Sequence, residues 1–435
     1  MFQTLPKDGG LSSLGTIPDD WEIVTFKDVC EVRQGLQIAI SKRYKNYKNG
    51  RFVYITIEYL NNLNNQNLLE YIDSPGARVI CKHNDVLVAR TGATGKIITG
   101  VEGVFHNNFF LVDYNRKEVD INYLVHYLKF EPVQKEIKFR AGTTTIPDLN
   151  HGDFYSLTFI KPKIPEQQKI AEILDAIDKA IALTDTHITK LKKAKAGLLH
   201  DLLTRGIDDH GKLRDHTRNP ELFKRSLLGI IPKDWDVQPL SQLAEINSGV
   251  TLGRNLSGLG TIELPYLRVA NVQDGYLDLS DIKTVSVFKQ EIIRYLLQAG
   301  DVLMNEGGDY DKLGRGTVWY GQISPCLHQN HVFRVRPNQN YLVSEFLALV
   351  SGSSYGKKFF ILSSKQSTNL ASINSTQLKS FPIPCPPLAE QKIILEITNV
   401  YNIRIERRED NLEKLKLLKK GLMSDLLTGR VRVKI

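Results

Sequence analysis

The sequence repeats itself around two segments that do not match. Residues 14–35, LGTIPDDWEIVTFKDVCEVRQG, align without gaps on residues 228–249, LGIIPKDWDVQPLSQLAEINSG. The shared residues include Gly15 and Gly229, Pro18 and Pro232, Trp21 and Trp235, and Gly35 and Gly249. Residues 162–204 align in the same way on 386–428, with 17 of 43 positions identical. Composition alone gives about two or three identities over such a length. Between these blocks, 36–142 and 250–366 share only scattered residues and differ in length. One framework used twice around unlike inserts predicts one task performed on two different targets. Two long copies do not make a solenoid or a propeller.

A chain of 435 residues, 42% of them hydrophobic, can bury several cores and is expected to form two to four domains. Lysine and arginine total 57 against 48 acids, a net charge of +9 that suits a polyanionic partner. Cys30, Cys81, Cys326 and Cys385 show no CxxC spacing and no evident pairing, which fits a reducing cytoplasm. The start, MFQTLPKDGG, lacks a charged stretch followed by an apolar run, and no apolar stretch approaches 18 residues. Neither secretion nor membrane insertion is expected.

Each copy of the second block opens on a proline cluster, KPKIP at 161–165 and PIPCPP at 382–387. Proline ends a β-type segment and starts a helix well. Glu166 and Glu390 follow in the first turn, where the helix dipole favours an acid. Apolar residues then recur every three or four positions: Leu174, Ile177, Ile181, Ile188, Leu191, Leu198 and Leu202 in the first copy. The second has Ile394, Ile397, Tyr401, Ile405, Leu412, Leu415, Leu422 and Leu426. These are heptad seams, interrupted at matched places by Thr184 and Arg408 and by Lys195 and Lys419. The helices should stop at Arg205-Gly206 and at Gly429, after roughly 57 Å. Matched seams and breaks favour pairing of the two helices with each other over separate surface helices. Residues 205–227 are charged and poorly periodic, and are expected to link the two copies.

The inserts have mixed, β-rich composition. Strands are expected over 52–57, 85–90 and 108–114, with a helix over 122–130. The second insert should have strands over 265–272, 301–306, 316–320 and 331–337, and a helix over 341–350. Asn84-Asp85-Val86-Leu87 recurs as Gly300-Asp301-Val302-Leu303, and His106-Asn107-Asn108 as His328-Gln329-Asn330. One fold with diverged loops accounts for both inserts.

Polar loops follow the two Asp-Val-Leu strands. The first carries Arg90, Thr91 and Lys96; the second carries Glu306, Asp309, Lys312 and Arg315. Glycines in both allow close backbone approach, and the side chains suit phosphates and base edges. Taken singly, each residue fits a polar hairpin turn. Charged polar loops at one place in both copies point to DNA contact, with Asn107, Asn108, Arg268, Asn271, Gln329 and Asn330 as further candidates. Catalytic alternatives fail on spacing: Arg90 and Ile97 stand where a phosphate loop needs Gly and Ser or Thr. Cys326, His328 and His331 lie close together without a fourth ligand, which favours packing over zinc. No methyltransferase, nuclease, GxSxG or HExxH signature is present.

In this layout the chain resembles the DNA-specificity (S) subunits of type I restriction–modification systems over essentially its whole length. The resemblance is carried by LGTIPDDW and LGIIPKDW, by PKIPEQQKIAEIL and PPLAEQKIILEI, and by LLHDLLTRG and LMSDLLTGR. The segment GDVLMNEGGDYDKLGRGTVWYG followed by CLHQNHVFRVRP also looks like a recognition-domain type of that family. The first copy departs slightly, with PKIPEQ where the family pattern is nearer PPLxEQ. The resemblance implies an α+β protein with two mixed α/β target-recognition domains related by pseudo-twofold symmetry. Two long helices would join them as an antiparallel coiled coil. The expected divisions are 1–158, 159–206 (first helix), 207–227 (linker), 228–380 and 381–435 (second helix and tail). The implied partners are double-stranded DNA, two methyltransferase (M) subunits and restriction (R) subunits, with no membrane. S-adenosylmethionine, ATP and Mg would be bound by those partners, and the chain itself would carry no cofactor, metal or catalytic residue. Two other readings remain: a self-contained restriction or modification enzyme, and a coiled-coil scaffold that binds protein only.

Overall fold

The structure, a computed structural model, describes residues 2–4, 16–61, 69–73, 75–142, 147–253, 260–308, 313–314, 316–366 and 371–435. The chain forms two compact units. One comprises Met1–Asp185 with Asp410–Ile435, and the other Thr186–Glu409. Each unit therefore takes the first half of one long helix and the second half of the other. The helices span Ile164–Thr204 and Leu388–Leu426.

In the first unit, one antiparallel sheet has the order Cys30–Gln34, Phe109–Tyr114, Val86–Ala89, Ile97–Ile98. The other has the order Tyr71–Asp73, Arg51–Ile55, Gly103–Phe105, Ile80–Cys81, with its central pair parallel. The second unit repeats this plan. Its first sheet runs Ala244–Asn247, Val332–Pro337, Val302–Asn305, Gly316–Val318. Its second sheet runs Lys283–Phe288, Thr261–Leu267, Leu327–His328, again with one parallel pair. The two inserts thus share one fold. The helices expected over 122–130 and 341–350 appear as Ile121–Lys129 and Ser344–Gly352. The strand expected over 265–272 is displaced to Thr261–Leu267, because Asn271 folds the following residues into a turn.

Gly35 and Gly249 recur for a steric reason. Each passes so close to the backbone of the histidine turn that a Cβ would overlap a carbonyl oxygen of His106 or His328. The Asp-Val-Leu aspartates are equally constrained. Asp85 accepts from Lys82 N at 2.8 Å and pairs with Arg116 at 3.0 Å. Asp301 accepts from Gln298 N at 2.7 Å and pairs with Arg336 at 2.7 Å.

The repeated Trp and Glu-Gln residues fasten each long helix to its unit. Trp21 Nε1 donates to Glu166 at 2.9 Å, and Trp235 Nε1 donates to Glu390 at 2.9 Å. Both tryptophans are buried. Gln167 donates to the carbonyls of Glu118 and Pro162 and accepts from Asp120 N. Gln391 donates to the carbonyls of Tyr341 and Pro386 and accepts from Val343 N. A buried polar side chain with all its partners in place fixes one docking geometry.

Each anchor is completed by the segment that follows the other helix. In the first unit Arg432 forks onto Glu166, at 2.6 and 2.9 Å, and onto Asp20, at 2.9 Å for both bonds. In the second unit Arg214 reaches Glu390 at 3.2 Å and Asp234 at 3.1 Å. The 207–227 segment that joins the two copies is itself packed into the second unit. Ile207 lies in the core of the second unit, Arg214 is part of its anchor, and Phe223–Ser226 pairs with Gly229–Pro232. Of the segment's charged residues, Arg214 pairs with an acid 176 residues away.

Within each unit the helices run antiparallel. Met423, Leu426 and Leu427 share a core with Ile170 and Leu174. Leu202 and Leu203 share the other with Ile394. Ion pairs Asp178–Lys419, at 2.5 Å, and Lys192–Glu409, at 2.6 Å, keep the same sense. All the seam residues are buried or half-buried. Thr184 and Thr398 sit among them by returning their hydroxyls to the carbonyls of Ala180 and Ile394.

Candidate nucleic-acid interface

The loop after Val86–Ala89 is a tight hairpin. Gly95 N donates to Ala89 O, Ala89 N donates to Lys96 O, and Gly92 and Gly95 both have positive φ. Gln134 braces its tip by donating to Gly95 O at 2.9 Å. Arg90 N donates to Asn108 O at 2.8 Å, which joins this hairpin to the histidine turn. Arg90, Thr91, Asn107 and Asn108 are thereby brought together, with Lys96 exposed on the same hairpin. Arg90 forks onto Asp148 at 2.9 and 2.6 Å. Asn107 donates to Gln37 at 3.1 Å.

The second unit places Glu306 at the position of Arg90. Glu306 N donates to His331 O, as Arg90 N does to Asn108 O. Glu306 O accepts from Ile373 N, as Arg90 O does from Leu149 N. Its carboxylate meets His331 Nδ1 at 2.5 Å, beside the half-buried Gln329 and Asn330. One backbone frame thus presents a guanidinium in one copy and a carboxylate in the other. These groups have opposite hydrogen-bonding capacity toward base edges. Asp309, Lys312 and Arg315 lie outside the described residues.

One candidate is placed otherwise than expected. Asn271 is buried, with its side chain spent on Arg268 N, Asp278 O and Asp281 O. It organises a turn and offers nothing to a groove. Arg268 bonds Asp281 through both its carbonyl and its carboxylate. Asn271→Ala is expected to lower stability by about 1–3 kcal/mol through stranded polar groups, and to leave the methylated sequence unchanged. Denaturant unfolding beside methylation mapping checks both parts; a changed base preference would place Asn271 at the DNA.

His328 is buried with Nδ1 2.6 Å from Val332 O, and burial pushes its pKa down to about 4. Burial pushes the Cys30, Cys81 and Cys326 thiols up to about 12. Among the described residues no group of His, Cys, Asp and Glu could hold a metal ion. Among them, too, no helix is long and apolar enough to cross a membrane.

The model of the type I restriction modification DNA specificity domain matches twice, at residues 18–193 and 232–417. The matches together span most of the chain, and the protein belongs to this family. It is 27% identical over 429 residues to the type I restriction enzyme MjaVIII specificity subunit of Methanocaldococcus jannaschii, covering 96% of this chain and 94% of that one. It is 33% identical over 213 residues to a putative type I restriction enzyme MjaX specificity subunit of the same organism, covering 48% and 49% of the two chains. Among solved structures, a chain from a study of assembly and conformational transition of the type I R-M system superposes with a TM-score of 0.59. The identity there is 18%, with 95% of this chain and 99% of that one covered. The type I S subunit from M. genitalium gives 0.53 at 15% identity, covering 100% and 99%. These two likenesses show the same fold.

Proposed function

We propose that this chain is the DNA-reading member of a type I restriction–modification complex, with each recognition domain reading one half of a bipartite, asymmetric site. The observation that carries the reading is the placement of Arg90 and Glu306 on the same backbone frame. Like scaffolds with opposite charge at the reading edge would select different bases. The helix pair sets the spacer and docks two methyltransferase subunits, and restriction subunits join that assembly. S-adenosylmethionine, ATP and Mg belong to those partners, and the chain has no nuclease or methyltransferase activity alone. The cytoplasm, where the DNA lies, is its setting.

The test is an exchange of the first insert for that of another specificity subunit. Because Arg90 pairs with Asp148 and Leu149 N bonds Arg90 O, the exchange must extend from 36–142 to 36–157. One half of the methylated site should change while the other stays. A folded chimaera with both halves altered, or methyl transfer by the chain alone, overturns the proposal.

A further inference from the structure

The first insert carries an arm with no counterpart of like charge in the second. Between Gly35 and Arg51 the sequence is LQIAISKRYKNYKNG, with four cations and no acid. The corresponding stretch after Gly249, VTLGRNLSGLG, has a single arginine. Resting on the reading of the chain as a DNA-specificity subunit, we propose that residues 40–49 form a phosphate-tracking arm. It would grip duplex DNA flanking the half-site read by the first domain.

The arm is held in shape by its own arginines and tyrosines. Tyr44 pairs with Tyr71 as an extra antiparallel bridge on the sheet edge. Arg51 stacks 3.5 Å over the Tyr44 ring and bonds Asp73 at 2.8 Å. Tyr47 meets Tyr71 edge-on at 5.7 Å. Arg43 bonds Ile38 O twice and Glu70 once, and lies 5.0 Å over the Tyr54 ring. Lys45 shares Glu70 at 3.0 Å. Arg43, Lys45 and Arg51 thus have carboxylate partners. Lys42 and Lys48 are exposed and make no ion pair among the described residues. Their charge is available to an outside anion.

The arm also starts at the candidate reading edge. Gln37, just before it, accepts from Asn107. Tyr54, beneath Arg43, stacks edge-on against His106 at 5.7 Å and donates to Leu36 O. A line of contacts therefore runs from Asn107 through His106 and Tyr54 to Arg43 and the exposed lysines. Phosphate contacts position a protein without reading sequence. An arm already ordered before binding loses little entropy on contact. Interleaved Lys, Tyr and Asn side chains supply charge and hydrogen bonds for a sugar–phosphate strand.

The test is Lys42→Ala/Lys48→Ala in the complex with its methyltransferase subunits. The probe is a duplex carrying the site mapped by methylation. Each phosphate contact adds about 0.9 to the slope of log affinity against log salt. The slope should therefore fall by up to about two. The affinity gap to the unmodified complex should narrow by about tenfold between 50 and 200 mM salt. Trimming the duplex beyond the first half-site should weaken the unmodified complex and leave the variant unaffected. The methylated sequence should stay the same. An unchanged slope, or failure of the variant to assemble with methyltransferase subunits, overturns the arm while leaving the specificity reading intact. If the unmodified complex itself shows no sequence-specific binding, the underlying reading fails instead.

Discussion

Glu390→Ala is expected to destabilise the second unit by about 3–5 kcal/mol, the range for removing one partner of a buried ion pair. The Glu390 carboxylate accepts from Trp235 Nε1, Ile207 N and both terminal nitrogens of Arg214. Removing it strands a buried indole N–H and a buried amide, and leaves a guanidinium whose side chain is 14% exposed with the single 3.1 Å bond to Asp234 in place of a forked pair. Glu166→Ala removes the equivalent group, but its Arg432 side chain is 42% exposed and retains Asp20. Water can therefore rescue the guanidinium, and a loss of about 1–3 kcal/mol is expected. Denaturant unfolding of both variants, followed at separate probes in each unit, measures the difference. Equal losses would show that burial of the arginine does not govern the anchor.

Removal of one heptad from each long helix, 183–189 and 407–413, should shorten the preferred DNA spacer by up to about three base pairs. Seven residues restore the seam phase and shorten a helix by about 10 Å. That length corresponds to about three steps of 3.4 Å in B-DNA. The deletion takes out Ile188 and Leu412 together with the buried Thr184, and it ends the Lys192–Glu409 pair. The recognised bases should stay the same, since no described recognition-loop residue is touched. Three base pairs also turn the duplex by about 100°, so binding should weaken even at the new optimum. Methylation of duplexes with identical half-sites at graded spacings provides the measurement. A folded deletion protein that keeps the original spacing would show that the helices do not set it.

The framework was legible because its signals are local. Proline clusters, a first-turn acid and terminal glycines mark helix ends through backbone chemistry, and the apolar spacing marks the seam. The roles of Trp21, Glu166 and Gln167 were not legible in the same way. Their recurrence was visible, but the partners that explain it lie up to 266 residues away. The packing of residues 207–227 was not legible for the same reason, since Arg214 looks like a solvated residue until Glu390 is placed beside it. Asn271 shows the limit for site residues. An asparagine that caps a buried turn and one that faces a groove have the same neighbours in sequence. Lys42 to Arg51 carries a usable signal, basic residues interleaved with tyrosines.

The closure of the first unit by Arg432 bears on the order in which the protein can mature. Asp20 and Arg432 are 412 residues apart, and the core around Trp21 also uses Met423, Leu426 and Leu427. Everything in the second unit, by contrast, has been synthesised by Glu409. Domains usually complete themselves in the order of translation, amino-terminal first. Here that order is inverted. The earlier-made recognition domain waits with its indole and the end of its core uncovered, while the later one can already finish. Contacts of such sequence separation carry a loop-closure penalty that slows their formation, so the first unit is the part most exposed to mispairing before the chain is whole.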